Sequence, residues 1–139
     1  MHKNLDFFNA LSVGHNEIDD GHHQLLGITN RISDAAGLGD IKEASLLFAQ
    51  YYEESESHFR LEERVLRDAG YPDVDAHFQH HQMLLEQETG LGSVNQNQTT
   101  EALIARNNKL VESLMDHVLK GDIEFKSFLL EHRNGNLEA

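Results

Sequence analysis

Four times along this chain, an apolar stripe with alternating steps of three and four residues admits a histidine at a position meant for the core. Residues at that spacing share one face of a helix, the face a folded protein buries. The first stripe reads Ile18, His22, Leu25, Thr29, Ile32, Ala36. The second reads Phe48, Tyr51, Ser55, His58, Glu62, Val65, Ala69, and carries a carboxylate beside its imidazole. Val74, His77, His81 and Leu84 form the third; Leu103, Asn107, Leu110, Leu114 and His117 form the fourth. Apolar residues in strict alternation are missing, so no sheet competes. The pattern predicts an all-α fold, an up-down-up-down four-helix bundle. An N-terminal arm over 1–16 precedes it, and a short C-terminal helix bearing Phe125, Phe128 and Leu129 follows.

The punctuation between stripes agrees. A helix is expected from about Asn16, with Glu17 and Asp19 suiting its positive end. "GLGD" ends it, and Asp40 with Glu43 forms a capping box for the second helix. That helix runs to about Ala69, where "GYPD", holding the chain's one proline, stops it. The third starts near Asp73. The polar stretch "GLGSVNQNQTT" reads as a loop, and Thr99 or Thr100 caps the fourth helix. No repeat or break in composition divides residues 1–139, so a single domain is expected.

Charge and composition exclude several functions. A formal net charge of −13 leaves no basic face for nucleic acid. No apolar run is long enough to span a bilayer, so no membrane insertion is expected. The first residues lack the basic head and apolar middle of a signal peptide, and a cytoplasmic setting is expected. With no cysteine, thiolate metal sites and cysteine nucleophiles are out of reach. Ten histidines remain to be explained.

His22, His58, His77, His81 and His117 all face the expected bundle axis, with Glu62 and Asp122 beside them. The pairs His58/Glu62 and His77/His81 are spaced i, i+4, on one helix face. His117 and Asp122 are five apart, about 140° around an ideal α-helix. They converge only if the helix is distorted, by a π-bulge or a terminating turn near Gly121. Neutral imidazoles and carboxylates packed dry would leave unpaired groups at about 1–3 kcal/mol apiece. Cations resolve that conflict, and seven ligands with two carboxylates suit a pair of ions. Imidazole-rich sites take iron, zinc, copper or nickel, and bridging carboxylates favour iron or manganese over copper. Neither His-Glu-x-x-His nor Glu-x-x-His occurs, which removes the zinc-protease and ferritin-like templates. His2, His15 and His132 read as solvated, and His23 points off its stripe. His80 rivals His81, but His81 continues better to Leu84 and Leu85. Glu63 steps about 100° off the second stripe, leaving Glu62 as the bridge.

These residues stand in four motifs: "IDDGHHQL" (18–25), "HFRLEE" (58–63), "HFQHH" (77–81) and "LMDHVLKGD" (114–122). In this order, with helical spacers, they resemble the bacterial hemerythrin-like domains of the hemerythrin family over nearly the whole chain. The resemblance implies two iron ions, Fe2+ or Fe3+, with an oxo or hydroxo bridge. His77, His81 and His117 would bind one iron, His22 and His58 the other, and Glu62 and Asp122 would bridge. O2 would bind reversibly at the open position of the iron with two histidines, against a wall matching Leu25, Phe59 and Leu114. Family members often carry tryptophan where Ser113 stands, and glutamine is common where Gly21 stands. A serine there predicts a wetter, more open pocket. The leading expectation is reversible O2 binding for oxygen or redox sensing, storage or delivery, with a downstream signalling domain or reductase as partner. The alternative is a di-iron enzyme reducing O2, peroxide or nitric oxide with an external reductase. A bundle holding zinc or no metal is the third reading.

Overall fold

The computed structural model describes residues 15–91, 98–122, 126, 128–129 and 131, so the expected arm up to residue 14, and Phe125, lie outside the described residues. Four α-helices follow one another: α1 (Asn16–Gly37), α2 (Ile41–Asp68), α3 (Val74–Leu91) and α4 (Thr100–Asp116). No strand occurs among the described residues. Helix α1 packs on α2 and α4, α2 on α3, and α3 on α4, which closes the ring of an up-down-up-down bundle. Lys126, Phe128, Leu129 and Glu131 are helical, in keeping with the short C-terminal helix.

The helix ends follow local chemistry. Asp40 Oδ1 accepts from the Glu43 backbone N–H at 3.1 Å, capping α2 as expected. At α4 the cap is Thr99, whose Oγ1 accepts from Ala102 N–H at 3.1 Å. Gly39 and Gly70, with φ of +72° and +78°, make the left-handed turns after α1 and α2. Two ends differ from expectation. His15, read as solvated, is the N-cap of α1, its Nδ1 accepting from Ile18 N–H at 3.4 Å. Helix α3 continues through Gly90 and Leu91, into the stretch read as loop. Arg106 on α4 donates to the Gly90 carbonyl at 3.1 Å, which supports that last turn.

Beyond Asp116 the chain widens into a π-helical turn, His117–Asp122. This is the distortion that the five-residue spacing of His117 and Asp122 demanded.

Two apolar clusters bracket the middle of the bundle. The larger includes Leu25, Leu26, Ile28, Ile32, Leu47, Phe48, Tyr51, Leu103, Leu110 and Leu114. The smaller, Ile18 and Leu66 with Val65, Tyr71, Val74 and Leu129 against them, closes the other end. His22 stands on α1 between Ile18 of one cluster and Leu25 of the other. Asn107, on the fourth stripe, donates Nδ2–H to the Thr29 carbonyl at 2.8 Å and ties α4 to α1.

Candidate metal centre

Every stripe histidine is buried, and all five rings gather on one carboxylate. Glu62 is fully buried, and its two oxygens face different sets of rings. Oε2 lies 2.5 Å from His58 Nε2 and 3.4 Å from Nε2 of both His22 and His117. Oε1 lies 3.0 Å from His77 Nε2 and 3.3 Å from His81 Nε2. The donor atoms of His22, His58, Glu62 and His117 all fall within 4.8 Å of one another, and so do those of Glu62, His77, His81 and His117. Two overlapping donor sets therefore share Glu62 and His117, and of these only the carboxylate has an oxygen for each side. That is the arrangement a bridging carboxylate requires.

Each helix contributes through its own periodicity: α1 brings His22, α2 His58 and Glu62, α3 His77 and His81. His117 arrives where α4 passes into the π turn. The turn also carries the backbone of Asp122, whose side chain is outside the described residues. The rings pack closely, His22 on His58 at 4.6 Å and His77 on His81 at 4.5 Å between centroids.

Burial alone would raise the Glu62 carboxyl. The charges of His58 and His117, then hydrogen bonds from His117 and His22, outweigh burial and hold it well below the usual range. Nε2 of His58 and of His81 nevertheless lack the alignment of a hydrogen bond to any protein atom. His81 gives its proton from Nδ1 to Glu63, so its Nε2 is the unprotonated nitrogen and has a lone pair to give elsewhere. The donor set thus fits metal ions: imidazole nitrogen in excess, with a shared carboxylate.

Of the rival histidines, His80 is half-buried, its ring stacked 5.5 Å from His117, and stands outside both donor sets. His23 is half-buried as well.

The wall residues Leu25, Phe59 and Leu114 are buried. Phe59 stacks flat on His81 at 4.1 Å and meets His117 edge-on at 5.2 Å. Ser113 is half-buried and lines a cavity of about 630 Å³ between α3 and α4 with Met83, Leu84, Lys109 and His117. This cavity reaches His117, but Leu25, Phe59, Leu114, His22 and His58 do not line it.

Three features escaped the sequence reading. Glu63, set aside as off the stripe, is buried, and its Oε2 accepts Nδ1–H of His81 at 2.7 Å. It belongs to a second line, Phe59, Glu63, Leu66, at steps of four and three, all buried. That spacing was the available signal. Gly21 was noted only as a departure, but a Cβ there would collide with the His58 ring. Glu88, buried two turns beyond His81, accepts a hydrogen bond from Ser55 Oγ at 2.8 Å. Burial raises its carboxyl to about 7 despite Ser55 and His117, and burial and Glu88 together push the Tyr51 phenol up.

No curated protein sequence matches the chain. The family model described as the hemerythrin HHE cation binding domain matches residues 13–129.

Proposed function

The chain belongs to the hemerythrin HHE cation-binding family, and we propose that it is a non-haem di-iron protein binding O2 reversibly at one open iron position. Its role would be oxygen or redox sensing, storage or delivery. The observation that carries the reading is Glu62, a fully buried carboxylate with a separate set of imidazoles around each oxygen.

In this reading, following the family pattern, His77, His81 and His117 hold one iron and His22 and His58 the other. His117, whose Nε2 lies 3.4 Å from Glu62 Oε2, belongs to both donor sets and is given to the first iron by that pattern alone. Glu62 bridges them, with Asp122 as second bridge on the strength of the family pattern. Bound iron would supply the electrons that hold O2 and take them back on its release. The protein's share is to orient and to exclude. Glu63 fixes the His81 ring by accepting its Nδ1–H, which commits Nε2 to the metal side. Phe59, lying flat on that ring, with Leu25 and Leu114, keeps water and protons from the ligand space. Imidazole and carboxylate donors without thiolate suit iron in both oxidation states.

The test is to express the protein with iron, measure metal content, reduce it anaerobically and titrate with O2 while recording the visible spectrum. Two irons per chain and an O2-dependent band that disappears on deoxygenation are expected. Absence of stoichiometric iron, or a band that never reverses, counts against the proposal.

The cavity at Ser113 favours a second reading, an enzyme that reduces O2, peroxide or nitric oxide with electrons from a separate reductase. Catalytic turnover with an added reductant would distinguish it from stoichiometric binding.

A further inference from the structure

Glu63 faces two ways. Its Oε2 accepts Nδ1–H of His81 at 2.7 Å, and its Oε1 accepts Nη1–H of Arg60, also at 2.7 Å. Arg60 is held by a second contact, its guanidinium 5.3 Å from the centre of the Phe78 ring on α3. The Arg60 side chain is 43% exposed, Glu63 8% and His81 0%. Three side chains therefore connect solvent to the candidate centre. Arg60 is in neither donor set.

We propose that Arg60 sets the oxidation–reduction balance of the metal pair by acting through Glu63 on His81. The inference rests on the di-iron reading above and names a control on that site. An imidazole that gives its Nδ1–H to a carboxylate donates more strongly from Nε2, and stronger donation favours the more oxidised metal. The effect grows with the accepting power of the carboxylate. Arg60 draws on the same carboxylate through a charge-assisted hydrogen bond, so less of that power is left for His81. Glu63 thus lowers the reduction potential, and Arg60 limits how far it does so. Arg60 is a positioning residue. Phe78 and Glu63 fix the plane and the charge of its guanidinium, which a lysine would match in charge only.

Reduction potentials of the iron-loaded wild type, Arg60→Met, Glu63→Gln, Arg60→Lys and the Arg60→Met/Glu63→Gln double variant test this. Arg60→Met should favour the oxidised form about tenfold, a fall of about 59 mV for one electron. Glu63→Gln should shift the balance the opposite way, and Arg60→Lys, which keeps the charge but not the fixed guanidinium, should recover only part of the wild-type value. The double variant should match Glu63→Gln alone. A charge acting directly through space would instead keep its full Arg60→Met effect when Glu63 is gone, and that result overturns the proposal. So does an unchanged potential in Arg60→Met.

A second measurement is independent of iron. In the zinc-loaded protein, the Nδ1–H proton resonance of His81 should move downfield in Arg60→Met and upfield in Glu63→Gln. If the chain takes up no iron, the proposed function falls, and the resonance still decides whether the relay exists. A His81 signal indifferent to Arg60 would overturn it.

Discussion

A single methyl group at residue 21 tests how closely α1 approaches the centre. With glycine there, the His58 ring occupies space that any Cβ would fill. Gly21→Ala should push His58 off Glu62 and weaken metal binding by about tenfold or more, the scale seen when a ligand loses its support. Competition titration against a chromophoric chelator measures it, with helicity unchanged by circular dichroism. Ser113 works in the opposite sense, since it leaves space at His117. Ser113→Trp should fill the cavity, exclude water and slow spontaneous oxidation of the O2-bound form, read from the decay of its visible spectrum. Glu88 gives a stability test. Burial raises its carboxyl from the ordinary 4.5 to about 7, so the folded chain holds a proton that the unfolded chain has released. Its contribution is intact below about pH 4.5 and is lost as pH rises through about 7. Glu88→Gln removes that slope. In urea denaturation of the metal-free protein, the variant's stability relative to wild type should rise by about 2.5 kcal/mol between pH 5 and pH 8. The residues on the four main stripes were legible because periodicity alone places them. Glu63 was not, because α2 buries a wider arc near its end, where Phe59, Glu63 and Leu66 turn inward beside the main stripe. Glu88 does continue the third stripe from His81 through Leu84, but a carboxylate at such a place reads as solvated until a partner such as Ser55 is seen.

At the scale of elements, the helix boundaries were legible wherever a side chain closes them. Asp40, Thr99 and the glycine turns behave as their chemistry dictates. Thr99→Ala should cost about 1 kcal/mol of stability, the usual worth of an N-cap, and leave metal affinity unchanged because α4 reaches the centre at its other end. Chemical denaturation of the metal-loaded protein beside a metal titration tests both halves. His15 was harder to read, since an imidazole is an uncommon cap and nothing in "VGHNE" marks it out. The end of α3 depends on Arg106 from another helix, a contact without local signature. The π turn was legible for a different reason. His117 and Asp122 at five-residue spacing are incompatible with one face of a regular helix, and a π-helical turn is found over that stretch.

For the whole molecule, the consequence is a bundle whose middle layer is polar and whose two ends are apolar. Ions bound in that layer stabilise only the folded chain. Chelation should therefore lower the melting temperature, and free metal at about a hundred times its dissociation constant should restore about 2.7 kcal/mol. Ligand histidines must be neutral to bind, so metal should be released on acidification. Calorimetry with and without chelator, and metal analysis after dialysis at stepped pH, check the two statements. The convergence of all four helices on Glu62 also has a meaning for biosynthesis. His22, His58, Glu62, His77 and His81 leave the ribosome before His117 does. A nascent chain halted between His81 and His117 lacks a donor common to both sets, so metal loading would report that synthesis has passed the fourth helix.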